Sequence, residues 1–200
     1  MRPIVADLLQ GRELYREVVL RRIQEARESV WISTANVKAM FVEQDGEHRS
    51  VLELFATLAE RGVELRLLHA ELPSRPFREA FDRQAKLVRG GLQLKICPRV
   101  HFKTVLVDAA WVYLGSANLT GAGLGAKGDH KRNFELGFVS EDFDVIDRTT
   151  ALFNAVWTGA ECGPCALRAI CPDPIGPATP KKGRVIELGK GRRLGRSFSG

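Results

Sequence analysis

Segments with the spacing of amphipathic helices alternate with short apolar runs through the first half of this chain, and that alternation admits few architectures. Leu14, Tyr15, Val18, Val19, Ile23 and Ala26 recur at helical spacing, which predicts a helix over residues 12–28 leading into the apolar run Val30-Trp31-Ile32. Ser50 and Glu53 make a capping-box pair before Val51, Leu54, Phe55 and Leu58, and Gly62 supplies a stop. A second apolar run covers residues 65–68. Ser74-Arg75-Pro76 then opens a third helix with Phe77, Ala80, Phe81 and Val88 inward, closed by Gly90-Gly91.

From Leu92 the period changes to two. Strands are expected over 92–96, 101–107, 111–114 and 134–139, followed by a helix that carries Val145, Ile146, Leu152, Phe153, Val156 and Trp157 and ends at Gly159. Such an order predicts an α/β fold: a mixed β-sheet flanked by helices on both faces. Beyond Gly159 the composition shifts to Cys, Pro, Gly and basic residues. The expected organisation is a main folded domain over 1–159, a Cys/Pro-rich segment over 160–180 and a basic, Gly-rich, disordered tail over 181–200.

With 200 residues, 44% of them apolar, the chain can bury a substantial core. No stretch approaches the ~20 consecutive apolar residues of a membrane span, and the N-terminal MRPIVADLLQGRE lacks the apolar run of a secretory signal. A cytoplasmic protein without a membrane partner is expected. The formal charge of +6 lies in the tail: residues 181–200 hold seven basic side chains against Glu187 alone. A balanced body with a basic arm fits a partner that is a polyanion.

Chemistry concentrates between Cys97 and Leu119. His101-Phe102-Lys103, Asp108 and Gly115-Ser116-Ala117-Asn118 spell H-x-K-x4-D-x6-G-S-x-N, six fixed positions that meet by chance in roughly one chain per million. On a strand, residues two apart share a face about 7 Å apart, so the His101 imidazole and the Lys103 ammonium sit side by side. Gly115 permits close backbone approach, and Ser116 and Asn118 can donate hydrogen bonds to oxygens. A nucleophilic imidazole, an ammonium and neutral donors suit a tetrahedral oxyanion, most naturally a phosphodiester. Asp108 begins a turn and needs no chemical role there. His48, His69 and His130 belong to no such pattern and are expected at the surface or in the core.

These residues match the signature of the phospholipase D superfamily, which the chain resembles over about residues 12–158. The resemblance implies a phospholipase D-like fold, a phosphohistidine intermediate on His101, Lys103 and Asn118 on the nonbridging oxygens, and no metal cofactor for catalysis. It also implies that Glu135, in Asn133-Phe134-Glu135, is the carboxylate that orients the catalytic imidazole. Two such motifs normally build one site in this superfamily, and this sequence has one His-x-Lys. The chain therefore resembles the single-motif nuclease branch, in which a homodimer supplies both histidines. Nuclease action on nucleic acid, DNA ahead of RNA, is the expected function. The alternatives are a phosphatidyltransferase-type lipid enzyme and a non-catalytic nucleic-acid-binding subunit of a larger antiphage or nucleic-acid-processing complex.

The glycine-rich, largely basic stretch between Gly121 and Arg132 is expected to be a flexible loop, either beside the phosphate path or merely solvated. Cys162, Cys165 and Cys171 follow a C-x2-C-x5-C spacing, with Cys97 far upstream. Short spacing suits thiolates on one ion, and the arrangement is similar to the iron–sulfur clamp of RecB-like exonucleases. A structural [4Fe-4S] cluster, a zinc ion, or four free thiols are all compatible with it.

Overall fold

A computed structural model describes residues 2–44 and 46–176; the basic tail over 181–200 lies outside the described residues. Nine strands are present among the described residues: β1 (Asp7–Gln10), β2 (Ser29–Thr34), β3 (Phe41–Gln44), β4 (Glu47–Ser50), β5 (Glu64–His69), β6 (Gln93–Ile96), β7 (Lys103–Val107), β8 (Trp111–Gly115) and β9 (Leu136–Ser140). Seven of them form one sheet in the order β1-β9-β8-β7-β2-β5-β6, and β3 and β4 pair separately. β2, β5 and β6 run parallel, whereas β7, β8, β9 and β1 alternate in direction. The sheet is mixed, as the periodicity predicts.

Helices cover both faces. α1 (Arg12–Leu14) runs into a π-helical stretch over Tyr15–Ile23, and with α2 (Val51–Glu60) it buries Leu14, Val18, Val19, Leu54 and Phe55 on the face carrying Val30, Ile32, Val105 and Val107. The opposite face carries Leu68, Leu106 and Val112 beneath Ile146, Phe153 and Trp157 of α4 (Phe143–Trp157). Phe153 stacks between Trp31 and Trp157 at ring separations of 5.4 and 5.6 Å. Alternate residues of β7 enter opposite cores, so a one-residue slip would expose both sets.

Local chemistry sets the helix ends. Ser50 accepts from the Leu52 N–H at 3.3 Å while Glu53 accepts from the Ser50 N–H at 3.3 Å, the reciprocal box expected for α2. Asp142 caps α4 by accepting from the Asp144 and Val145 N–H groups, and Arg2 pairs with it at 2.5 Å.

Three expectations change. The first helix stops at Ile23 rather than 28, because residues 24–28 turn the chain into β2. The third splits into α3 (Arg75–Asp82) and a separate π turn, Leu87–Gly91, so Phe77 and Leu87 are buried while Val88 is 53% exposed. β1 and the β3–β4 hairpin had no apolar alternation to reveal them: β1 is a largely exposed edge strand held by its backbone pairing to β9.

Candidate active site

The strand directions bring the ends of β2, β5 and β8 and the starts of β7 and β9 to one edge of the sheet. Lys103 opens β7 there, with His101 two residues before it and outside the strand expected over 101–107, Gly115 to Asn118 leave there from β8, and Glu135 arrives there before β9. Lys103 pairs with Gly115, and Gly115 with Gly137, so five of the six motif residues and Glu135 are gathered within a few strand spacings.

His101 is exposed, and its imidazole has no hydrogen-bond partner among the described residues. The Lys103 ammonium donates to the His101 carbonyl oxygen at 2.7 Å, which fixes the two residues side by side and leaves two of its three donors free. Asn118 is held more tightly. Its Oδ1 accepts from Thr34 Oγ1 at 3.1 Å and from the Ala35 and Asn36 N–H groups, both at 3.2 Å. With the carbonyl saturated, the amide Nδ2 is the end left to donate to a ligand.

Ser116 Oγ donates to Glu135 Oε2 and accepts from the Leu136 N–H at 3.2 Å, while Glu135 Oε1 accepts from Asn133 Nδ2 at 3.1 Å. Glu135 thus meets Ser116 and Asn133, not the His101 ring. Asp108 is not brought to this edge at all. It sits five residues along β7, roughly 16 Å away, and its carboxylate accepts from the Arg27, Glu28 and Ser29 N–H groups at 2.8–3.0 Å. Asp108 and Ala109 both take positive φ, 53° and 49°, at the centre of the three-residue connection to β8, whose Ala110 N–H donates to the Val107 carbonyl at 3.0 Å.

Tyr113 has no distinguishing signal in the sequence, yet it supports the site from beneath. Its ring packs under Gly115 and Gly137, where a Cβ on Gly115 would meet Tyr113 Cζ at 2.6 Å, and its hydroxyl accepts from the Ala117 N–H at 3.3 Å. Burial pushes the Tyr113 phenol up to about 12, with the Glu135 charge reinforcing it. Thr34 and Asn36, the partners of Asn118, are equally silent in sequence because the contact spans 84 residues. His69 is 1% exposed at the end of β5; burial lowers its pKa, although its contact with the Glu71 carbonyl opposes the shift.

The glycine-rich loop divides in two. Leu124 is buried, Gly123 donates to Thr120 Oγ1 at 2.9 Å, and Gly125 at φ +75° lies so close to Gly11 that a Cβ would strike its carbonyl. This half is packed, contrary to the flexible loop expected; residues 127–131 are exposed.

Cys97, Cys162 and Cys165 line one cavity of about 320 Å³, and all four thiols are free. Burial pushes the Cys97 thiol up, with Cys162 and Cys171 adding to it, while the Leu167 N–H and the Arg99 guanidinium lower Cys165. Among the described residues no group of three Cys, His, Asp or Glu side chains is placed to hold a metal ion, so neither the cluster nor the zinc ion, two of the three alternatives compatible with the spacing, finds support in this arrangement.

A family model described as "Cardiolipin synthase, PLD-like domain" matches residues 19–157, well over half of the sequence, and the chain belongs to this phospholipase D-like family. Among solved structures it is similar to Nuc, a phospholipase D family member from Salmonella typhimurium (18% identity, 76% of this chain and 95% of that one, TM-score 0.56). It is also similar to NucT from Helicobacter pylori (15% identity, 78% and 96%, TM-score 0.56) and to TrmBL2, an archaeal chromatin protein (15%, 76% and 52%, TM-score 0.52). At these identities the likeness is one of fold. No curated protein matches the chain. Among the described residues no helix is long and apolar enough to cross a membrane.

Proposed function

We propose that this protein is a metal-independent phosphodiesterase that cleaves nucleic acid through a phosphohistidine on His101, in a site completed by His101 of a second copy. The observation that carries the reading is the open edge of the sheet, which gathers an exposed, unpartnered His101 imidazole, an ammonium held by the backbone carbonyl of the same residue, and an Asn118 amide whose other end is saturated. Nucleophile, positive charge and neutral donors all come from the chain, which is what attack on a phosphodiester requires.

In the first step a neutral His101 nitrogen attacks phosphorus. The P–N bond forms, the P–O bond to the leaving nucleotide breaks, and that oxygen takes a proton from the protonated His101 of the second copy. Water then attacks phosphorus, giving its proton to the second imidazole as the P–N bond breaks. Lys103 and Asn118 of both copies hold the nonbridging oxygens. The two histidines carry opposite protonation at each turn, so the rate follows a bell in pH.

The family model's description gives a second reading a specific footing, transfer or hydrolysis at a phospholipid diester. One assay separates the two. Labelled DNA, labelled RNA and phospholipid vesicles are incubated with the purified protein in chelator, alongside His101→Ala. Cleavage of nucleic acid that survives chelator and is lost in the variant is expected. Phospholipid turnover alone would transfer the site to lipid, and a chelator-sensitive activity would remove the mechanism.

A further inference from the structure

A groove of about 640 Å³ opens beside the motif, reaching from Ser116 and Glu135 across the start of β9 and the end of β1 to Arg12 and Arg16. Its charges are unevenly committed. The Glu13 carboxylate accepts from the Gln10 N–H at 3.1 Å, and Glu135 is held by Ser116 and Asn133, so both acids are engaged. Arg12 and Arg16, about one helical turn apart and both exposed, have no hydrogen bond or ion pair among the described residues. Arg132 binds Asp129 through Nη2 at 2.7 Å, and its Nη1 is buried without a partner. Phe134 stands against this wall with its ring fully exposed, one residue from Glu135.

We infer that this groove is a subsite for single-stranded nucleic acid, with Phe134 as a stacking platform for a base and Arg12 and Arg16 as the contacts for its phosphates. An aromatic ring left in water beside free guanidinium groups matches the two faces of an unpaired nucleotide, an apolar π-surface and an anionic backbone. Duplex bases present no free face to such a ring. The groove meets the motif at Ser116, just past the end of β8, and reaches β1, three strand spacings or roughly 14 Å from β7, so it directs a strand along the sheet edge toward His101. Anchoring by Gly125 against Gly11 holds the loop that carries Arg132 to the corner that carries Arg12.

This inference rests on the nucleic-acid reading of the site, and the experiment keeps the two apart. Binding is measured by fluorescence anisotropy with labelled oligothymidylate and a labelled hairpin duplex, on the full chain carrying His101→Ala so that nothing is cleaved. Adding Phe134→Ala lowers affinity for the single strand on the order of tenfold, and Phe134→Trp restores it. Adding Arg12→Gln and Arg16→Gln lowers the slope of log affinity against log salt by about 1.4, the release expected for two phosphates of a single strand. Hydrolysis of bis-p-nitrophenyl phosphate by the protein with His101 intact, which is too small to reach the groove, stays unchanged in all these variants.

Equal binding of oligothymidylate with and without Phe134, no preference for single strand over duplex, or a change of oligomeric state in Phe134→Ala overturns the subsite; the last would make the ring a contact between copies. Failure to hydrolyse the small diester, with the binding differences intact, overturns the catalytic reading and leaves the groove standing.

Discussion

The two ends of the β7–β8 hairpin use their polar groups in opposite ways. At the turn, Asp108 spends both carboxylate oxygens on the Arg27, Glu28 and Ser29 N–H groups, and its own N–H donates to the Ser29 carbonyl at 2.9 Å. At the open end, the His101 imidazole and Asn118 Nδ2 have no partner among the described residues. The same signature supplies both ends, so its residues divide into those whose polar groups the chain itself takes up and those whose polar groups it leaves open. A saturated hydrogen-bonding group stabilises the fold; an unsatisfied one at an exposed edge is available to a ligand.

The largest effect should come from the open end. His101→Ala is expected to lower phosphodiester cleavage by on the order of a thousandfold or more, while the midpoint of thermal unfolding stays close to that of the unmodified protein, because the ring is exposed. A fall in both together would mean that His101 is structural and would erase the contrast.

Asp108→Ala should do the reverse. Three backbone N–H groups lose a charged acceptor, and a loss of about 3 kcal/mol in denaturant unfolding is expected, with cleavage per folded molecule retained. Should Asp108→Ala abolish cleavage in fully folded protein, the carboxylate acts on the reaction over the length of the strand and its assignment to architecture is mistaken.

Two buried groups contribute to the pH dependence of stability. Tyr113 has its pKa raised from 10.0 to about 12, so its contribution is complete below pH 10 and is lost as pH rises toward 12, by up to roughly 3 kcal/mol. Tyr113→Phe should flatten that alkaline limb. His69 has its pKa lowered from 6.5, so the unfolded chain takes up the proton first, and stability present above pH 6.5 declines as pH falls through the folded-state value. Unfolding free energies measured across both ranges, with His69→Gln as the control for the acid limb, check the signs.

The smallest effect belongs to the turn. Ala109 holds a φ of 49°, a conformation that costs an L-residue about 1 kcal/mol and glycine nothing, so Ala109→Gly is expected to stabilise by about 0.5–1 kcal/mol. A neutral result would show that the turn is held by the Asp108 bonds alone.

Legibility in the sequence followed the range of each interaction. The capping box at Ser50 and Glu53 was readable because its partners lie three residues apart, and the β7 and β8 strands because alternate residues enter opposite cores. Helical spacing points Val88 inward because it continues across the break between Asp82 and Leu87 without recording it, and the structure leaves that side chain exposed. Edge strand β1 leaves no mark in the sequence because an exposed strand held through its backbone needs no apolar pattern.

For the candidate site, the sequence by itself singled out the proposed reactive set: His101, Lys103, Ser116 and Asn118 at a spacing that one hairpin can bring together. Tertiary structure alone decided what each group is free to do. Thr34, Ala35 and Asn36 saturate one end of Asn118 from more than eighty residues away, Glu135 meets Ser116 and Asn133 instead of the imidazole, and Asp108 is carried to the far end of its strand. Periodicity and spacing record neighbours along the chain, whereas the satisfaction of a hydrogen-bonding group depends on neighbours through space, and only the folded sheet edge brings those together.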